Sequence, residues 1–260
     1  MHSEHLPYQT LMFSASWSAE VQSLALAILR PGAVVRVTVG NGRTENLATN
    51  SAIGQRIEVL PMTCARNQMT VNHQAESQAD SEKLKRLVGL LENLGHGRDA
   101  HGRKRKMGPA ERGKALVFTS TKARCEAVCM ALQRKRVAAD RIHADRNQKL
   151  RDAALSAFAI PGSGRVLVAT DVAARGIDVK DIQVVVNFDL PLARGDTGME
   201  QYIHRIGRTA RGADSVGKAV SYFDPVVDTP NAACLIKLMQ DAGQLPPPEL
   251  LALVETNEIL

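Results

Sequence analysis

Residues 114 to 223 constrain the fold more than any other part of the chain, because they repeat a strand-then-helix rhythm. Lys114-Ala115-Leu116-Val117-Phe118 is a continuous apolar run of strand length, as expected of a strand covered on both faces. Thr119-Ser120-Thr121 then opens a helix with Cys125, Val128, Cys129 and Leu132 as its inner stripe. Ala138 to His143 reads as a short strand, Asn147 to Phe158 as a helix and Arg165 to Ala169 as a second buried strand. Ile182 to Phe188 and Val216 to Phe223 complete the series. Strands and helices alternating at these lengths predict an α/β fold, an open parallel sheet with helices on both faces.

The flanks are less regular. Ile53 to Leu60 suggests another strand, and Ser81 an N-cap for a helix with Leu84, Leu87, Val88 and Leu91 inward. Two stretches, 62–80 and 95–112, read as surface insertions, the first rich in Gln, Asn and Ser. The second carries Arg103-Lys104-Arg105-Lys106, which suits a nuclear-import signal, an RNA-contacting arm or a solvated loop. Residues 8 to 40 read as strand (Thr10 to Phe13), helix (Val21, Leu24, Ala25, Ile28 and Leu29 on its apolar face, Ser18 as cap) and strand (Val34 to Val39). Three such elements are too few for a domain, so 1–40 is expected to be the end of another, joined by a polar linker at 41–51. Thr229 onward predicts one more helix, followed by Pro246-Pro247-Pro248 and a short helical tail.

Composition excludes several classes. With 260 residues the chain can bury a full core. Aromatics are only 3%, so base stacking is not its main mode of holding nucleic acid. The net charge of +6 fits a phosphate-rich partner. Cys64, Cys125, Cys129 and Cys234 form no CxxC pair and predict buried free thiols in a reducing, intracellular compartment, with no metal site. No apolar run reaches about 18 residues and no leader is evident, so no membrane is expected. Gly162-Ser163-Gly164 lacks the third glycine of a dinucleotide fingerprint, which removes a dehydrogenase reading.

In open parallel sheets, ligands bind at loops leaving the carboxyl ends of strands. After Phe118 lie the Thr119 and Thr121 hydroxyls at a helix N-terminus, a place suited to phosphate. After Ala169 lies Thr170-Asp171-Val172-Ala173-Ala174-Arg175-Gly176-Ile177-Asp178, whose Arg175 and Asp178 exceed what caps and turns require. Further on, His204, Arg208 and Arg211 follow the spacing i, i+4, i+7 and would share one helical face, a forked donor array suited to phosphate oxygens. Gly207 leaves room beside Arg208.

Four stretches in order, Ala115 to Thr121, His143 to Arg151, Ala169 to Val179 and Tyr202 to Gly212, resemble motifs IV, IVa, V and VI of the DEAD-box RNA helicases. Ser14-Ala15-Ser16 resembles the Ser-Ala-Thr of motif III, which ends the first of that family's two RecA-like domains. The resemblance implies that 52–245 is the second RecA-like domain, 1–40 the tail of the first and 246–260 a Pro-rich tail. It implies ATP with Mg²⁺ as cofactor and RNA as partner, gripped by its backbone and not by its sequence. By resemblance, Arg208 and Arg211 are arginine fingers for the γ-phosphate, Asp178 accepts from the ribose and Gly176 makes room for the nucleotide. Thr121, Gln148, Arg151 and Thr170 would face RNA. Ser14, Ser16, Arg175, His204 and Arg205 would couple the nucleotide and RNA sites across the cleft to the first RecA-like domain. Ser16, Ala144 and Ala210 depart from the family's usual Thr, Gly and Gly. Neither GxxxxGK[ST] nor Asp-Glu-Ala-Asp occurs in the chain, so the resemblance implies the C-terminal half of an ATP-dependent helicase, nuclear or cytoplasmic, inactive by itself. The competing expectation is a helicase-like RNA-binding or regulatory module that never hydrolyses ATP.

Overall fold

In a computed structural model, the described residues are 9–13, 19–29, 32, 34–37, 50–62, 78–95, 113–174, 177–191, 195–211 and 215–257. The chain divides into two compact units, Met1–Leu47 and Ala48–Leu260.

In the first unit, α1 (Ala19–Ile28) forms where a helix is expected. The flanking strands do not: residues 10–13 and 34–37 have no ladder. A strand exists only by pairing, and Phe13, Val35 and Val37 are instead exposed. The expected apolar face of α1 is likewise mostly open, with Ala25 buried but Leu24 and Ile28 exposed.

The second unit is one six-stranded, all-parallel sheet in the order β1-β6-β5-β2-β4-β3. Its elements are β1 (Ile53–Val59), α2 (Gln78–Asn93), β2 (Lys114–Phe118), α3 (Lys122–Arg134), β3 (Ala139–Ile142), α4 (Gln148–Ala159), β4 (Val166–Ala169), α5 (Asp171–Ala174), β5 (Ile182–Asn187), α6 (Gly195–Ile206) and β6 (Gly217–Phe223). A 3₁₀ turn (Thr229–Asn231), α7 (Ala232–Asp241) and α8 (Pro248–Asn257) follow. Alternation along the strands explains why the apolar runs are continuous. Ala115 and Val117 join Val166, Val168, Val184 and Val186 in a core with Leu87 and Leu91 of α2 and the Cys125-Val128-Cys129-Leu132 stripe of α3. Leu116 and Phe118 point the other way, to Leu167, Val185 and the α4 residues Ala154 and Phe158. Cys125 and Cys129 are buried free thiols, and burial pushes Cys125 up to about 12, so neither is a ready nucleophile.

The α2 start differs from expectation. The helix begins at Gln78, three residues before Ser81, so Ser81 lies within it and the 62–80 insertion ends earlier. Asp80 in its first turn complements the helix dipole. No helix among the described residues is long and apolar enough to cross a membrane.

Edge strand β1 carries an uncommon cap. The side-chain amide of Gln244, beyond α7, accepts from Gln55 N at 2.7 Å and donates to Ile53 O at 2.8 Å, as a neighbouring strand would. Arg86 donates to Val59 O at 3.3 Å at the strand's other end. Such plugs blunt a sheet edge. Gln244→Ala is expected to cost about 1–3 kcal/mol, since two part-buried backbone groups lose their partners. Guanidinium unfolding checks this, and a loss under about 0.5 kcal/mol, as for an ordinary surface change, would mean the plug is idle.

Candidate nucleotide and RNA-backbone site

Strands β5, β2 and β4 are neighbours, so the segments leaving their carboxyl ends lie side by side. Thr119 N donates to Ala169 O, Thr170 N to Ile142 O, and both Phe188 N and Asp189 N to Phe118 O. These bonds bring the loops after β2, β4 and β5 into one layer.

Thr121 is the N-cap of α3, in extended backbone geometry, and its hydroxyl accepts from Arg124 N at 3.2 Å. A hydroxyl that accepts from the helix still has a proton to give, so capping and phosphate binding are compatible. Asn147 caps α4 through Leu150 N at 2.9 Å and sets the first turn, where Gln148 and Arg151 lie. Gln148 donates to Asp152 at 2.7 Å on the exposed side. The Arg151 Nε is buried with no hydrogen-bond partner among the described residues. Thr170 is buried at the mouth of β4.

The Arg-rich stretch departs from the helical face expected of it. Helix α6 ends at Ile206, and the next bonds tighten, Arg208 N to Arg205 O and Thr209 N to Ile206 O. Ala210 follows at φ 54°, left-handed backbone that a Cβ disfavours, which is the physical reason glycine suits that position. Arg208 and Arg211 are therefore gathered by a common acceptor and not by a shared helix face. Arg208 donates to Ile177 O at 3.1 Å, and Arg211 to the same carbonyl at 3.2 Å and to Asp178 Oδ1 at 2.9 Å. Burial, then the like charge of Arg211, lowers the Arg208 pKa, with Asp178 opposing. The Asp178 side chain is 83% exposed and keeps acceptor capacity for a second donor. His204 is exposed nearby on α6.

Arg205 has different partners. It is 2% exposed, with Nε and Nη2 on the two Asp171 oxygens at 2.6 Å each. Its Nη1 donates to Asn187 Oδ1 at 3.1 Å and Asp189 O at 2.7 Å, and its guanidinium stacks 5.0 Å over Phe118. Those four bonds stay inside this unit. Ser14, Ser16, Arg175 and Gly176 lie outside the described residues, as does Arg103 to Lys106.

Sequence reasoning missed the polar cluster behind this site. Asp189 accepts from Ser120 N at 3.0 Å, Ser120 Oγ at 3.2 Å, Lys83 at 3.3 Å and Arg124 twice at 2.6 Å. Arg124 also grips Asp80 through two 2.7 Å bonds. The available signal was Asn187-Phe188-Asp189, where polar residues interrupt an apolar run at a strand's carboxyl end.

Residues 104–213 match the profile of the helicase conserved C-terminal domain. The DEAD-box ATP-dependent RNA helicase 40 of Oryza sativa subsp. japonica is 38% identical over 243 residues, 93% of this chain and 25% of that protein. The ATP-dependent RNA helicase DBP2 of Encephalitozoon cuniculi is 35% identical over 251 residues, 96% of this chain and 41% of that one. The chain thus spans a quarter to two-fifths of the length of these two relatives. Among solved structures, S. cerevisiae Dbp5 bound to RNA and ADP BeF3 superposes with TM-score 0.61 at 22% identity, over 90% of this chain and 49% of that one. The C-terminal domain of Dbp5 alone gives TM-score 0.51 at 24% identity, over 79% of this chain and 96% of that domain. Both structures share the fold, a RecA-like open parallel sheet. By its profile match and its relatives, the chain is similar over nearly all its length to DEAD-box RNA helicases, and residues 104–213 match the helicase conserved C-terminal domain.

Proposed function

We propose that this chain supplies the arginine-finger and RNA-gripping half of an ATP-dependent RNA helicase. The observation that carries the reading is the convergence of Arg208 and Arg211 on Ile177 O beside the exposed Asp178, on the same domain as Thr121, Arg151 and Thr170. The donor set fits a nucleotide's phosphates and ribose: two guanidiniums with unused N–H groups and a carboxylate that accepts hydroxyl protons. ATP with Mg²⁺ would supply the phosphoryl group and its charge-neutralising ion. Among the described residues no group of three or more His, Cys, Asp or Glu could hold a metal ion, so in this reading Mg²⁺ rests on a first RecA-like domain. Arg208 and Arg211 would leave Ile177 O for the γ-phosphate, where a finger of this kind is worth roughly 10³- to 10⁵-fold in rate. Thr121 and Thr170 would donate hydroxyl protons to successive RNA phosphates while Arg151 neutralises one. Unwinding follows from holding one strand's backbone in a geometry its complement cannot share.

Anisotropy titration of a single-stranded oligouridine across a salt series tests the RNA half. Arg151→Ala should flatten the slope of log K on log salt by about 0.7, one released counterion for a single strand. Thr170→Val should weaken binding about 5-fold, one hydrogen bond's worth. Unchanged slope and affinity in both variants would overturn the RNA-facing assignment. The nucleotide half has its own expected result: the 260-residue chain by itself releases no phosphate from ATP, with or without RNA. Turnover that co-purifies with the protein and survives Arg208→Ala would refute the finger role.

A further inference from the structure

Thr121 is exposed, yet the turn that carries it is anchored from both ends on one buried carboxylate. Before it, Ser120 donates to Asp189 Oδ2 through its backbone N–H at 3.0 Å and its hydroxyl at 3.2 Å. After it, Arg124 donates to the same carboxylate through Nε and Nη2, at 2.6 Å each. The Arg124 guanidinium forks a second time, with Nη1 and Nη2 on the two Asp80 oxygens at 2.7 Å. Four N–H groups are thus spent inside the protein, and the Phe188 ring lies 5.6 Å from the guanidinium carbon. A guanidinium so engaged has little left to offer a phosphate. What it does is fix the first turn of α3, where its own backbone N–H donates to Thr121 Oγ at 3.2 Å. That bond occupies a lone pair of Thr121 and leaves the hydroxyl proton for an outside acceptor. The position and the polarity of the hydroxyl therefore both trace to residue 124.

We propose that Arg124 is a positioning residue for Thr121: clamped between Asp189 and Asp80, it holds the Thr121 hydroxyl where that group donates to an RNA phosphate. Arg124 itself touches no RNA. The proposal rests on the RNA-facing reading of Thr121 given above and adds what sets that contact. The clamp joins three elements, since Asp80 lies in α2, Arg124 in α3 and Asp189 just after β5. Lysine cannot replace the arginine, because an ammonium is a point donor that does not bridge two carboxylates in one plane.

A double-variant cycle on oligouridine affinity tests the role, read by anisotropy on the 260-residue chain, with circular dichroism checking that each variant folds. Thr121→Val should weaken binding about 5-fold, one hydrogen bond's worth. Arg124→Lys keeps the charge and loses the fork, and should also weaken binding about 5-fold. In the Thr121→Val background the same change should cost under about 2-fold more, because the hydroxyl it positions is already gone. A double variant weakened about 25-fold, the full product, would overturn the positioning role and leave Thr121 facing RNA. That is the result of a direct contact from Arg124 or of a general loss of structure, neither of which depends on the hydroxyl. Binding by Arg124→Lys equal to that of the parent would overturn the role as well. No loss in Thr121→Val alone would overturn the RNA-facing reading of Thr121, and the proposal with it. Should Arg124→Lys fail to fold, Asp80→Asn loosens only the outer half of the clamp and enters the same cycle. A loss of about 3-fold that vanishes in Thr121→Val supports the proposal, and no loss, or an equal loss in both backgrounds, overturns it.

Discussion

Asp189→Ala is expected to lower the unfolding free energy by about 3–5 kcal/mol at pH 7, the usual cost of removing one partner from a buried ion pair. Asp189 is 6% exposed, yet its carboxylate is held far below the usual range. Burial alone would raise it, but Lys83, the two bonds from Arg124 and the Ser120 N–H together outweigh that. Removing the carboxylate leaves Lys83, itself 2% exposed, with its positive charge uncompensated by that partner. Arg124 would keep Asp80, so the loss should centre on Lys83 and on the Ser120 loop that leads to Thr121. Against a typical domain stability of about 5–15 kcal/mol this is a large share. Guanidinium denaturation measures it, and a double variant with Lys83→Met should lose less than the two single losses combined. Additive losses would mean that Lys83 and Asp189 stabilise the fold independently. The sign with pH is fixed by the depressed carboxyl. Its contribution is present above the unfolded value near pH 4 and is lost as pH falls below it, so the gap between parent and variant should close in acid.

The same cluster shows what the sequence could and could not reveal. Val166 to Ala169 and Ala115 to Phe118 were legible because a strand covered on both faces must be apolar at every position, and local composition records that directly. The α3 stripe was legible for the same local reason, a period of 3.6 residues. Thr121, Arg151, Thr170, Asp178, Arg208 and Arg211 were singled out by motif, since their order along the chain survives folding. Nothing local announces that Arg124 will meet a residue 65 positions later, or Lys83 one 106 positions later. A charge on an amphipathic helix is by default solvated, so local sequence gives no sign of either partner. The register of the parallel strands brings β5's end beside β2's, and only that brings the partners together. The face expected of His204, Arg208 and Arg211 failed for a smaller reason. Periodicity assumes that the helix continues, and here it stops at Ile206. The strand expected at 10–13, and the described part (34–37) of the one expected at 34–39, did not form, because apolar alternation is necessary for a strand but a partner must also be present.

A second carboxylate in the cluster responds to pH in the opposite sense. Asp228, 8% exposed, is pushed up to about 6, first by burial and then by the nearby charges of Asp224 and Asp189. The Asp224 N–H, donating to Asp228 Oδ2 at 2.8 Å, and Lys83 oppose the shift without cancelling it. Lys83 is already engaged by Asp189 at 3.3 Å, so of two carboxylates near one ammonium the better-paired one stays ionised and the other is driven towards neutrality. A group whose folded pKa is raised contributes stability that is complete below its unfolded value and is lost as pH rises through the folded one. Between about pH 4 and pH 6 the native state therefore binds the Asp228 proton more tightly than the unfolded chain, and above that window the ionised carboxylate is a net cost. Asp228→Asn removes the charge while keeping an oxygen for the Asp224 N–H. It should be more stable than the parent at pH 8, by about 1–3 kcal/mol, with the advantage fading to nothing near pH 4. Unfolding series from pH 4 to pH 8 on parent and variant supply the test. A variant that is weaker than the parent by the same amount at every pH would show that Asp228 acts as a hydrogen-bond acceptor alone, and that burial beside Asp189 and Asp224 does not disfavour its charge. With the expected result, the acid limb of the domain's stability below about pH 4 belongs to Asp189 and the decline between about pH 4 and pH 6 to Asp228, two limits set by unequal sharing of one buried lysine.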